Sequence, residues 1–201
     1  MAIAALFGIL SGIVSVLDPL PYIRDVLRGT TRPHRAAWFI WSALATVALV
    51  SQLADGAEWS VVMVAVQAFS TGLVFAFSIR RGVGGLSPWD ITLLTIAMLG
   101  VVGWLVSTEP VVATACVVFA DTIGVCLMLP KTWRDPSSET TSTFALASTA
   151  GLLSTLAVAE LDLSLLLYPV YFFLANGLIA VVIVTRRRRA DAGPAAGCEG
   201  S

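Results

Sequence analysis

Asp121 is the residue in this chain whose position most demands a chemical reason. It stands about midway along an apolar run from Val111 to Leu129, and a charge at the centre of a bilayer costs about 2.5–3.5 kcal/mol on insertion scales. A carboxyl kept there faces a bundle interior. It serves either as a binding or proton-carrying group, or as a neutral staple hydrogen-bonded to a neighbouring helix. Gln67 and Thr71 in one apolar run and Asn176 in another lie at similar depth, Tyr171 shares a helical face with Tyr168, and Trp41 is the deepest of the six tryptophans. Asp121, Asn176, Thr71, Gln67, Trp41 and Tyr171 are therefore the candidate substrate-binding residues. Their chemistry is hydrogen bonding and ring stacking around a small polar solute. Most serines and threonines in such helices only join one helix to another, for about 0.6 kcal/mol on average.

A second set lies at one end of the first apolar run. Ser11, Ser15, Asp18 and Tyr22 recur at spacings of four, three and four, the pattern of a helical face turned from lipid. Asp18 is one turn before Pro21 and near Arg24, so it reads either as part of a gate or as half of a salt bridge. With Pro21, Tyr22 and Pro130 it makes the candidate gating set.

Hydrolytic chemistry is not indicated. The sole histidine, His34, sits in an arginine-rich loop, where a solvated position is expected, and no serine or cysteine is placed to pair with it. No metal spacing and no cofactor motif is present. Cys116 and Cys126 are ten residues apart on one predicted helix, roughly 15 Å at 1.5 Å per residue and too far to bridge. Gly82-Val83-Gly84-Gly85 follows no strand, so it reads as a flexible link and not as a phosphate cradle.

The elements that position these residues are transmembrane helices. The chain is 57% hydrophobic and 12% charged, with a mean hydropathy of +0.88, against about 45–50% apolar and about 25% charged in soluble domains. Seven runs are expected to span: Ile3 to Tyr22, Ala36 to Ala54, Trp59 to Ile79, Ser87 to Ser107, Val111 to Leu129, Thr143 to Ala159 and Leu163 to Thr185. Each is near the roughly 20 residues that cross about 30 Å of hydrocarbon. None shows the alternation of a membrane barrel strand. The first run lacks a basic leader and a small-residue cleavage site, so it is expected to be retained.

The loops orient the bundle. Every Lys and Arg falls in the loops after spans 1, 3, 5 and 7, including Arg24, Arg35, Arg81, Lys131 and Arg186 to Arg189. The opposite loops hold Asp55, Glu58, Glu109, Glu160 and Asp162. Excess positive charge marks the cytoplasmic side, so the N-terminus is expected outside and the C-terminus inside. Trp59, Trp89, Trp104 and Trp133 fall at span ends, where aromatic belts anchor helices. Arg186 to Arg189 is a stop-transfer cluster suited to anionic lipid. Eleven of the twelve basic residues are arginine and alanine is abundant, the usage of a GC-rich bacterium, so the membrane expected is a bacterial cell inner membrane.

A faint repeat organises the spans. Sliding Trp38–Arg81 onto Thr143–Arg186 pairs Asp55 with Glu160, Thr71 with Asn176, Gly72 with Gly177 and Arg81 with Arg186. Two three-helix units joined directly would enter the membrane in opposite senses. Span 4, opened by Ser87-Pro88-Trp89-Asp90 as a capped helix start, restores the sense and need touch no substrate. The expected fold class is thus all-α integral membrane, seven transmembrane helices arranged 3+1+3 as two parallel triple-helix bundles. Residues 1–82 form the first bundle, 83–109 the linker, 110–189 the second bundle and 190–201 a disordered cytoplasmic tail.

At Pro21-Tyr22 and Pro130-Lys131, each ending the first helix of a triplet before a basic loop, the chain resembles the SWEET, SemiSWEET and PQ-loop superfamily of membrane proteins. Tyr22 and Lys131 replace the glutamine of the PQ pair. A more distant likeness is to PnuC-type vitamin transporters, through Trp38 and Trp41. The resemblance implies a substrate site near the bilayer midplane between halves that rock about it, with contacts from the second and third helices of each triplet, Asn176 among them. The function expected is transport of a small polar solute by alternating access, with Asp121 as the residue that would link it to protons. The alternative is a non-transporting receptor or assembly partner on the same fold, docking through its arginine-rich face.

Overall fold

The computed structural model of the chain describes residues 2–54, 61–158 and 163–192. Asp55, Glu58, Trp59, Glu160, Asp162 and the tail from residue 193, Cys198 included, lie outside the described residues. The described chain is all-helical and without strands. Its elements are α1 (Ala2–Leu17), α2 (Pro19–Arg28), α3 (Arg35–Ala54), α4 (Val61–Arg81), α5 (Pro88–Val106), α6 (Pro110–Arg134), α7 (Thr141–Ala157) and α8 (Leu163–Ala192), with a single 3-10 turn at Pro136–Ser138. Among the described residues four stretches are long and apolar enough to cross a membrane: Ile3–Arg28, which takes in most of α1 and all of α2, Pro88–Val106, Pro110–Arg134 and Leu165–Asp191. Their outer faces are what lipid requires. Ile3, Leu6, Ile9 and Ile13 form an exposed apolar stripe on α1, as Leu99, Val102 and Leu105 do on α5 and Leu174, Leu178 and Val181 on α8.

Several helix ends differ from the sequence reading. The first break falls at Asp18, ahead of Pro19, and not at Pro21: Pro19 occupies the first position of α2, where its missing N–H costs nothing, and Pro21 two residues on is tolerated for the same reason. Gly29 ends α2 at φ +77°, in the left-handed conformation that favours glycine. Pro130 does not end its helix either. α6 continues to Arg134, held by Lys131, whose ammonium binds the carbonyls of Arg32 and Ser138 and the Glu139 carboxylate. The last helix likewise runs to Ala192, so the start of the expected disordered tail is helical.

Helix α5 begins as its sequence requires. Ser87 Oγ accepts from the Asp90 N–H at 3.1 Å and the Asp90 carboxylate accepts from the Ser87 N–H at 3.3 Å, with Pro88 at the first helical position. Asp90 also takes the Gly85 N–H at 2.8 Å. The Gly82–Gly85 link is accordingly fixed, not loose. Val83 exchanges backbone hydrogen bonds with Pro33 and Arg35, Gly84 has φ +66°, and a Cβ there would sit 2.3 Å from His34 Nε2. His34 itself is buried, with Asp90 3.9 Å away, where a solvated loop was expected. Burial lowers its pKa, the nearby Asp90 opposing, so the ring is neutral at pH 7.

The packing pairs are regular. α4 lies against α3 on one side and α1–α2 on the other, and α8 lies against α7 and α6. Between these groups α1 packs along α7 and α3 along α6, while α5 packs chiefly on α6. Gly100 and Gly103 let α5 approach closely: a Cβ at Gly100 would sit 3.1 Å from the Cys116 carbonyl. Gly72 faces Ser42 and Gly177 faces Ser148, so the two glycines matched by the repeat make the same kind of contact.

Candidate functional site

A cavity of about 530 Å³ lies where these helices meet. Asp121 lines it and is buried; its Oδ2 accepts a hydrogen bond from Tyr171 Oη at 2.7 Å, and the Trp41 indole approaches it from α3. Gly124 makes room for that ring, because a Cβ would meet Trp41 Nε1 at 2.7 Å. Trp41 in turn stands edge-on to Trp38, with ring centroids 5.1 Å apart.

The other predicted binding residues converge on the same space. Gln67, Thr71 and Asn176 line it with Trp41 and Asp121, whereas Tyr171 stands behind Asp121 as its donor. Thr71 Oγ1 donates to the Gln67 carbonyl at 2.8 Å and Asn176 Nδ2 to the Phe172 carbonyl at 2.9 Å. These are matching positions of the repeat, each bonded one turn back along its own helix. Trp104, expected at a span end, lines the cavity too, so α5 is not remote from it.

Of the gating residues, Asp18 belongs to the cavity and not to a salt bridge: Arg24 pairs with Asp25 instead, at 2.9 Å. Asp18, whose backbone stays helical at the join of α1 and α2, lines the cavity and is 6% exposed. Ser11 and Ser15 line the wall above it, and Ser11 Oγ donates to the Ala150 carbonyl on α7 at 2.9 Å.

Tyr22 is fully buried beneath the cavity and centres a network at the basic end. Its hydroxyl takes a hydrogen bond from Trp38 Nε1 at 3.1 Å and donates to Glu139 Oε2 at 3.0 Å. Glu139, 1% exposed, is ion-paired with Lys131, and Arg187 donates to its backbone carbonyl. Tyr22 lies tilted against Trp38 and edge-on to Phe144, with ring centroids 4.6 and 6.1 Å away, and the three rings form one aromatic layer. Around this layer the basic loops cross-link: Arg32 with Asp135, Thr31 with Thr140 at 2.7 Å, Thr140 with Asp25 at 3.0 Å, and Arg81 with the Val26 and Leu27 carbonyls at 2.8 and 2.7 Å. These contacts join the basic loops to one another next to two residues of the cavity wall, Trp38 and Phe144.

Glu139 was invisible to sequence reasoning. It is an ordinary loop acid until folding places it 117 positions from its Tyr22 partner; the one available hint was a lone Glu eight residues after the only Lys. Burial raises its carboxyl pKa to about 6, Lys131 and Tyr22 opposing. Arg186 and Arg187, assigned to lipid, are committed to protein: Arg186 lies over the Trp133 ring at 4.5 Å and Arg187 Nε donates to the Pro136 carbonyl at 3.0 Å. Arg188 and Arg189 remain exposed. Among the described residues no group of His, Cys, Asp and Glu could hold a metal ion. Compared with known proteins, the chain matches no family model, no curated protein and no solved structure.

Proposed function

We propose that this chain carries a small polar solute across a bacterial inner membrane by alternating access, as seven spans in a 3+1+3 arrangement with the basic loops in the cytoplasm. The observation that carries the reading is the cavity of about 530 Å³ lined by Asp121, Asn176 and Thr71. A receptor or assembly partner on the same fold needs no such space. A core closed by alanine, glycine and leucine would serve it.

The packing supports the duplicated layout. Counting α1–α2 as one span, the third helix of each triplet lies between the first and second. The first helix of either triplet packs on the second helix of the other. Exchange of the triplets leaves this pattern unchanged, as parallel repeats about an axis along the membrane normal require. The SWEET and PQ-loop likeness rests on this layout together with the proline-bearing first helices. In such a carrier the Tyr22–Trp38–Phe144 layer and the Glu139–Lys131 pair are the inner gate, opened when the triplets rock. Asp121 is the residue through which a proton would be linked to the solute. Arg188 and Arg189 are the positions left for anionic lipid.

Uptake by the purified chain in liposomes tests this, screened over sugars, vitamins and amino acids at two pH values. Saturable uptake of one class, lost in Asp121→Asn, is expected. A correctly inserted protein that moves none of them contradicts the proposal.

A further inference from the structure

The charge and the free polar atoms of the cavity narrow what it takes. Asp18 on α1–α2 and Asp121 on α6 are the only charged side chains among its described lining residues, and both are more than nine-tenths buried. No Lys, Arg or His on any of the helices lining it reaches that space. Lys131 is paired with Glu139 below the Tyr22 layer, and Arg24 with Asp25. The Asp121 carboxyl has Tyr171 as a donor, but the Asp18 side chain has no hydrogen bond or ion pair to any described residue, not even at the start of α2, and only its backbone N–H is bonded, to the Val14 carbonyl at 2.9 Å. Tyr168 lines the same cavity as both carboxylates. A carboxylate taken from water without a counter-charge is unfavourable unless something else supplies that charge.

The neutral polar groups point the same way. Thr71 and Ser11 spend their hydroxyl donors on backbone carbonyls, and Asn176 spends one of its two amide donors in the same way. Thr143 Oγ1, buried and facing the cavity, has no partner. The neutral groups left open can donate or accept, whereas the two ionised carboxylates only accept, so the charge in the wall is complemented by a positive, donating group. Six rings line the wall, Trp38, Trp41, Trp104, Phe144, Tyr168 and Phe172, among aliphatic side chains. Ring faces attract cations, and more strongly where water is excluded. The volume falls within the about 300–1,000 Å³ usual for small-molecule sites.

We propose that the cavity binds a small organic cation, its ammonium group set against Asp18 and Asp121 and its apolar part against the surrounding rings. This rests on the carrier reading for its purpose and not for its chemistry, and binding can be measured without transport. Calorimetry on the full chain in detergent compares phenethylammonium with its neutral and anionic counterparts, 2-phenylethanol and 3-phenylpropionate. The ammonium is expected to bind at least tenfold more tightly than the alcohol, and the carboxylate not at all. Asp18→Asn and Asp121→Asn, checked for monodisperse elution, each weaken the ammonium at least tenfold. The three-ligand comparison on the unaltered chain needs no variant to fold. Equal binding of ammonium and alcohol, or no ammonium binding, overturns the assignment. Uptake of a neutral solute alone in the liposome screen overturns it while upholding the carrier. Ammonium binding with no uptake of any solute keeps the cation site and overturns the carrier.

Discussion

Tyr171 on α8 donates to Asp121 on α6 across 2.7 Å, so the most deeply placed acid of the chain is held by a phenol and not by a cation. This one bond ties α6 to α8 at the wall of the cavity. Hydrogen bonds to charged groups contribute about 1.5–3 kcal/mol, and a buried acceptor left bare costs at least as much. In a double-mutant cycle of Tyr171→Phe and Asp121→Leu, followed by unfolding in micelles, a coupling of about 1–3 kcal/mol is expected. Strict additivity would mean that the bond adds nothing to the fold.

Glu139 makes stability depend on pH with a definite sign. Its carboxyl, ordinarily near 4.5, is raised to about 6 by burial, so the folded state prefers the protonated form. That preference is present in full below about 4.5 and is lost as the pH rises through about 6. At about 1.4 kcal/mol per unit the difference is of order 2 kcal/mol. The unaltered chain should therefore gain stability between pH 7.5 and pH 4.5 relative to Glu139→Gln, whose amide does not titrate. Parallel thermal-midpoint curves for the two proteins would refute the placement of this acid.

Gly151 and Gly177 sit on the two facing helices of one contact but have unequal tolerance for a methyl group. A Cβ at Gly151 would lie 2.6 Å from the Phe173 backbone nitrogen, whereas at Gly177 it would meet Ser148 Oγ at 3.1 Å. Backbone cannot step aside and a hydroxyl can. Gly151→Ala should cost about 1–3 kcal/mol, the usual range for overpacking, and Gly177→Ala less, as read from thermal midpoints. The reverse order would contradict the α7–α8 packing.

What could be read from the sequence was whatever depends on local pattern. Apolar length marks the helices, and Ser87-Pro88-Trp89-Asp90 marks the start of α5 because a capping box is complete within four residues. The in-register pairs Thr71 with Asn176 and Gly72 with Gly177 anticipate matching contacts, since a repeat preserves helix faces. The misreadings share one physical cause. Pro21 and Pro130 look like helix ends, but a missing N–H is cheap in the first turn and is offset at Pro130 by the anchoring of Lys131. His34 looks solvated until Gly84 and Asp90 close over it. Trp104 looks like an interface anchor because its depth is legible and its direction is not. The Tyr22–Glu139 lock joins segments whose proximity only tertiary packing creates.

The central claim, a solute cavity reached in turn from either side, is tested most directly by sided labelling of Thr71→Cys. The background replaces Cys116, Cys126 and Cys198 by alanine, and a membrane-impermeant thiol reagent is applied to right-side-out and inside-out vesicles. The account predicts modification from both sides, faster from the acidic-loop side because the Tyr22–Trp38–Phe144 layer closes the other, with Glu139→Gln raising the rate from the basic side. Modification from one side alone, unchanged by Glu139→Gln, would contradict it.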